Sequence, residues 1–150
     1  MTDAFEQRLS DLLNDIEINC DPGIGGGQCN AFSIECLFLI QHKLPPIAVE
    51  ALGILNDYLA GRIPVKSVLD ALVGLWKYLD TNHPQRGVDN LEISAIRAVI
   101  FPLDAQKSPE MRNIVDHLGF FLQFVNNVEP HYEEEEVLLR KHFGECLTVG

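Results

Sequence analysis

The chain has 150 residues, of which 47% are hydrophobic, and 22 acidic against 11 basic side chains give a formal net charge of −11; that length suffices to bury a core without metal or disulfide staples. A surplus of this sign repels phosphate backbones and anionic lipid heads, which argues against direct nucleic-acid or membrane binding and leaves a basic partner, or solubility alone, as its use. The apolar content is too high for a disordered acidic tail, so one globular domain over 1–150 is expected.

The first residues, MTDAFEQRLSDLL, lack a basic stretch followed by an apolar run, and no segment approaches the roughly 18 apolar residues of a membrane span, so a cytoplasmic protein is expected. Phe5, Leu9, Leu12, Leu13 and Ile16 recur at three- and four-residue steps and predict a helix over about residues 3 to 18. Asp21-Pro22-Gly23 ends it, and glycines at 23, 25, 26 and 27 predict a flexible loop over about 20–30. Although glycine-rich, this loop has no Gly-Lys-Ser/Thr, and a helix rather than a strand precedes it, so a nucleotide site is not indicated.

AFSIECLFLIQHKL is apolar on nearly every side, which fits a central buried helix, with a buried strand as the alternative. Pro45-Pro46 breaks it. A helix over Ile47–Ala60 follows, with Val49, Leu52, Leu55, Tyr58 and Leu59 inward; Gly61 is placed for a left-handed cap and Pro64 for the first residue of the next helix. That second arm turns Val65, Val68, Leu69, Leu72, Leu75, Trp76 and Leu79 inward, completing an antiparallel hairpin. TNHPQRGVDN (81 to 90) reads as a surface loop, LEISAIRAVIF as a short helix limited by Pro102, and Ser108-Pro109-Glu110 as the start of a helix to about Asn126. In this last helix Ile114, Leu118, Phe121 and Val125 form a stripe that Phe120, Leu122 and Phe124 widen. The sum is an all-α fold, a single-domain bundle of six to seven helices.

Cys20, Cys29, Cys36 and Cys146 form no C-x-x-C pair and no tight Cys/His spacing, so free thiols are expected, with a Cys20–Cys29 bridge as the alternative. No serine lies in a G-x-S-x-G elbow and no cysteine adjoins a histidine in a nucleophile context, so no enzyme and no cofactor are predicted. Arg97 falls among Ile93, Ile96 and Ile100, where an ion pair with Asp70, Asp116 or Glu35, or a stem lying along the core, would accommodate it.

EPHYEEEEVLLRKHF, from Glu129 to Phe143, suits a helix that Pro130 opens, with acids in its first turns and Arg140, Lys141 and His142 in its last, each sign complementing the helix dipole. Glu136 is spaced to pair with Arg140, and Tyr132, Leu139, Phe143 and Cys146 form the inward stripe, leaving Glu133 and Glu134 to solvent. His131, Glu135 and His142 fall to a similar side, but Leu138 stands where a tight metal site would want a ligand, so no metal site is expected.

The stretch AVEALGILNDYLAGRIPVKSVLDALVGLWKYLD, followed by EISAIRAVIFPLD and ending in LLRKHF, resembles the small all-helical immunity proteins encoded beside bacterial toxins of contact-dependent inhibition and related systems. The resemblance covers roughly half of the chain, counted over its predicted helices. It implies a cytoplasmic inhibitor that binds a cognate basic toxin protein, a nuclease of the RNase or tRNase type, and performs no chemistry itself. Solvent-facing carboxylates in two groups, Asp80, Asp89 and Glu92 around the 81 to 90 loop and Glu129, Glu133 and Glu134 on the last helix, are the candidate partner-binding residues. Two other readings stand beside it: a helical adaptor or oligomer using the phenylalanine-rich 117 to 125 stretch, and a metal-binding helical protein using His131, Glu135 and His142.

Overall fold

A computed structural model describes residues 2–19, 25–84, 90–107 and 114–147; the side chains at 2, 3, 5, 17, 19, 25–27, 114–117 and 145–147 fall outside that description. Among the described residues there are seven α-helices and no strand: α1 Thr2–Asn19, α2 Gly25–Leu39, α3 Pro46–Leu59, α4 Val65–Asn82, α5 Leu91–Asp104, α6 Ile114–Val128 and α7 Tyr132–Leu147. Short 3-10 turns at Gln41–Lys43 and Ala105–Lys107 join α2 to α3 and extend α5.

The hydrophobic stripes explain the packing. Leu9, Leu12, Leu13 and Ile16 bury one side of α1, and Val68, Leu72, Leu75 and Leu79 bury one side of α4, as a three- and four-residue period requires. Helix α5 is the most enclosed, with Ile93, Ala95, Ile96, Ala98, Val99, Ile100 and Leu103 all buried, and it packs against α2, α3, α4 and α6. Its alanines and Ser94 let those neighbours approach from several sides. Helix α7 lies against α1 and α2, and one buried cluster draws residues from all seven helices. At its centre Phe32 meets Phe121 and Phe143 edge-on, with ring centroids 6.4 and 6.3 Å apart.

Local chemistry sets the helix ends. Gly61 has φ 80°, its N–H donates to the Tyr58 carbonyl at 2.9 Å, and the Arg62 N–H donates to the Asp57 carbonyl at 2.9 Å. That pair of bonds is the Schellman motif, which caps the last carbonyls of α3. Pro46 occupies the first turn of α3, and the Asn90 side chain accepts from the Ile93 N–H at 3.1 Å to cap α5.

Several expectations are corrected. Helix α2 starts at Gly25 and takes in three of the glycines expected to lie in a 20–30 loop, because burial of Cys29, Phe32, Cys36 and Leu37 offsets their conformational cost. Pro102 lies inside α5 rather than limiting it. Pro64 is the N-cap of α4, one residue before its start, and α7 begins at Tyr132, two residues after Pro130. Leu59 and Val65, expected inward, are exposed at the α3–α4 turn. Cys29 and Cys36 are buried free thiols, so the Cys20–Cys29 bridge is not formed. The Ser108-Pro109-Glu110 start signal, Phe5 and Cys146 lie outside the described residues or side chains.

Candidate functional site

Helix α6 buries Leu118, Phe121, Leu122, Val125 and Val128, and this leaves Phe120, Gln123 and Asn127, at steps of three and four, on its outer side. Phe120 is 57% exposed, one of several large apolar side chains on the surface, Ile18, Leu91 and Val137 among them. Two grooves flank this ridge and share Phe120, Gln123 and Asn127.

The first groove, about 750 Å³, lies between α5 and α6 and is walled by Leu91, Arg97, Phe101 and Phe124. Leu91 is 58% exposed, and Phe101 meets Phe124 with centroids 5.7 Å apart. The Arg97 guanidinium stands over the Phe124 ring at 4.9 Å and the Trp76 ring at 5.8 Å, within range of a cation–π interaction. Among the described residues aromatic faces, and no carboxylate, meet Arg97: Glu35 binds Lys141 and His142 instead, Asp70 is exposed, and the Asp116 side chain is not among those described.

The second groove, about 610 Å³, runs between α1 and α6 to Tyr132 on α7, with Leu9 and Leu13 on its floor. The Tyr132 hydroxyl donates to Glu6 at 2.9 Å across its rim.

The predicted carboxylates fall into two kinds. Asp80, Glu133 and Glu134 are exposed, with Glu134 at 3.6 Å from His131 Nδ1. Glu92 and Glu129, expected to face solvent, keep 38% and 26% of their side chains exposed and are also tied into the fold. Glu92 lies 2.6 Å from His83 Nε2 and accepts from the Tyr78 hydroxyl at 3.1 Å, and the bond to Tyr78 raises its phenol above the ordinary range. Glu129 lies 2.6 Å from His131, 3.1 Å from Lys43 and 3.3 Å from His42, and these partners, His131 foremost, hold its carboxyl down at about 2. Asp89 lies outside the described residues. None of the described members of either acidic group lines the two grooves.

The residues of the metal reading part company. His131 bonds Glu129 and His142 lies 2.6 Å from Glu35, while Glu135 is fully buried, accepting from Asn126 Nδ2 at 2.8 Å with its second oxygen unpartnered. Burial pushes the Glu135 carboxyl up to about 8, against the pull of the Asn126 bond. No group of three His, Cys, Asp or Glu side chains among the described residues is placed to hold an ion. Burial likewise pushes the Cys29 thiol up to about 12 and Cys36 well above its ordinary value, so both keep their protons. Glu136 meets Arg8 at 2.8 Å rather than Arg140.

Sequence reasoning missed Asn126, whose side-chain oxygen accepts from the His131 N–H at 3.0 Å while its amide holds Glu135. It named Glu135 only beside His131 and His142 as a metal alternative and missed its burial, although 135 continues the Tyr132, Leu139, Phe143 stripe. No family model, no curated protein and no solved structure matches the chain.

Proposed function

We propose that this chain is a non-enzymatic immunity protein that acts in the cytoplasm, binding and neutralising a cognate basic toxin domain of the nuclease type. The supporting observation is the exposed Phe120 ridge between two grooves on a strongly acidic molecule. Protein interfaces concentrate binding energy in a few apolar anchors and use rim charges for steering and partner choice. Phe120, Leu91 and the groove walls supply the first; Asp80, Glu133 and Glu134 supply the second. A domain that grips phosphate presents a basic cleft, which complements a net charge of −11. The resemblance of the α3–α4 hairpin and α5 to immunity proteins points the same way.

The test is titration of the chain with the toxin domain encoded beside it. A one-to-one complex is expected. Phe120→Ala should weaken it by about 30-fold, as loss of a central aromatic anchor does, and Glu133→Lys with Glu134→Lys should slow association and flatten its salt dependence. Unchanged affinity in both variants would reject the reading. The exposed phenylalanine also suits a self-associating adaptor, and sedimentation would favour that reading if the chain alone forms a dimer that Phe120→Ala dissolves.

A further inference from the structure

Among the described lining residues of the α5/α6 groove, Arg97 is the single charged side chain, and it is a cation on an acidic protein. Its guanidinium is held over Phe124 and Trp76. No carboxylate of the described residues lies within ion-pair distance, although Arg8, Lys43, Arg62, Lys107 and Lys141 all have one. A planar guanidinium fixed against aromatic rings keeps its forked N–H donors for an acceptor that approaches along its edge. Ser94, Gln123 and Asn127 add neutral polar groups to the same groove. In that partly apolar setting a carboxylate accepting two parallel N–H bonds is the strongest match available.

We infer that Arg97 receives one carboxylate of the docked partner, an Asp or Glu side chain set beside an apolar residue that enters the α5/α6 groove. This rests on the inhibitor reading and adds to it the chemistry of the segment recognised. The overall charge selects the source: a field from a net −11 repels free anions, whereas a carboxylate carried on a basic protein is brought in by the rest of its surface. The partner segment is thus apolar and singly acidic, within a domain that is basic as a whole.

Fragments test the recognition without the partner. Uniformly 15N-labelled full-length protein, in about 0.3 M salt so that the long-range field that repels free anions is screened while a close pair is not, is titrated with sodium benzoate and, in parallel, with benzamide, which has the same shape and no charge. The Arg97 Nε–H and Trp76 indole N–H resonances report the site. Benzoate should give saturable shifts at both, with benzamide about tenfold weaker or more, as expected for loss of a charge-assisted pair. Arg97→Gln should abolish the difference, and Arg97→Lys, which keeps charge but not the fork, should retain it in weakened form. Equal responses to the two fragments, or a benzoate preference that survives Arg97→Gln, would overturn the inference; if Arg97→Gln does not fold, equal benzoate affinity in Arg97→Lys and the parent overturns the forked contact. Titration with the adjacent toxin domain separates the two claims. Loss of binding in Phe120→Ala but not in Arg97→Gln would refute the carboxylate and leave the inhibitor reading intact, while indifference to both would refute the docking face itself.

Discussion

Glu135 shows how far one side chain can depart from its neighbours in a run of four glutamates. Glu133 and Glu134 are exposed, whereas Glu135 is 0% exposed, with one oxygen on Asn126 and the other without a partner. Its carboxyl is pushed up to about 8 from an ordinary value of 4.5, so between those values the folded protein holds a proton that the unfolded chain has released. Stability therefore falls as pH rises from about 4.5 to about 8 and is flat above. Glu135→Gln imitates the protonated form. Urea unfolding should find the variant similar to the parent near pH 4.5 and more stable at pH 9, by on the order of 5 kcal/mol. Glu129 has the opposite sign: its lowered carboxyl contributes stability above about 4.5 that is lost as pH falls toward 2. In the sequence Glu129 reads as a solvent-facing acid and Glu135 as a member of a metal alternative, and neither reading carries the partners that the fold supplies. Composition gives the number of charges, while burial and partners, which are tertiary, decide what each one does.

Helix boundaries were legible where punctuation and periodicity agreed, and the α3–α4 hairpin is the clearest instance. Gly61 adopts φ 80°, and a Cβ added there would meet nothing within 4 Å, so Gly61→Ala isolates the backbone cost of the left-handed cap. Thermal unfolding should show a loss of about 1 kcal/mol, or a few degrees in Tm. Elsewhere burial overrode punctuation. Pro102 lies within α5 because Ile100 and Leu103 are buried on either side of it, and Gln106 completes that end by donating to the Pro102 carbonyl and to Asn30, each at 2.9 Å. The Gly25–Gly27 segment joins α2 for a related reason. The Asn90 cap was readable in principle, since an asparagine immediately precedes the apolar run of α5; its place in a Pro- and Gly-containing loop concealed it.

The whole molecule spends much of its positive charge internally. Arg8, Lys43, Arg62, Lys107 and Lys141 each lie within ion-pair distance of a carboxylate, and His142 and Lys141 together hold the Glu35 carboxyl below its usual range. Exposed pairs of this kind add little stability, yet they leave the unbalanced acids to set the outward field. The all-helical class and its stripes were visible in the sequence. The proposed docking face was only half visible: the phenylalanine-rich stretch was noticeable, but which of Phe120, Phe121 and Phe124 turns outward depends on the register of α6 against α1 and α5. Cys29 and Cys36, both sealed beneath neighbouring helices, make α2 its own stopwatch. A thiol-specific reagent in excess should leave them untouched in the native protein and modify both together at the rate at which α2 departs from its neighbours, read position by position from the mass of the proteolytic fragments.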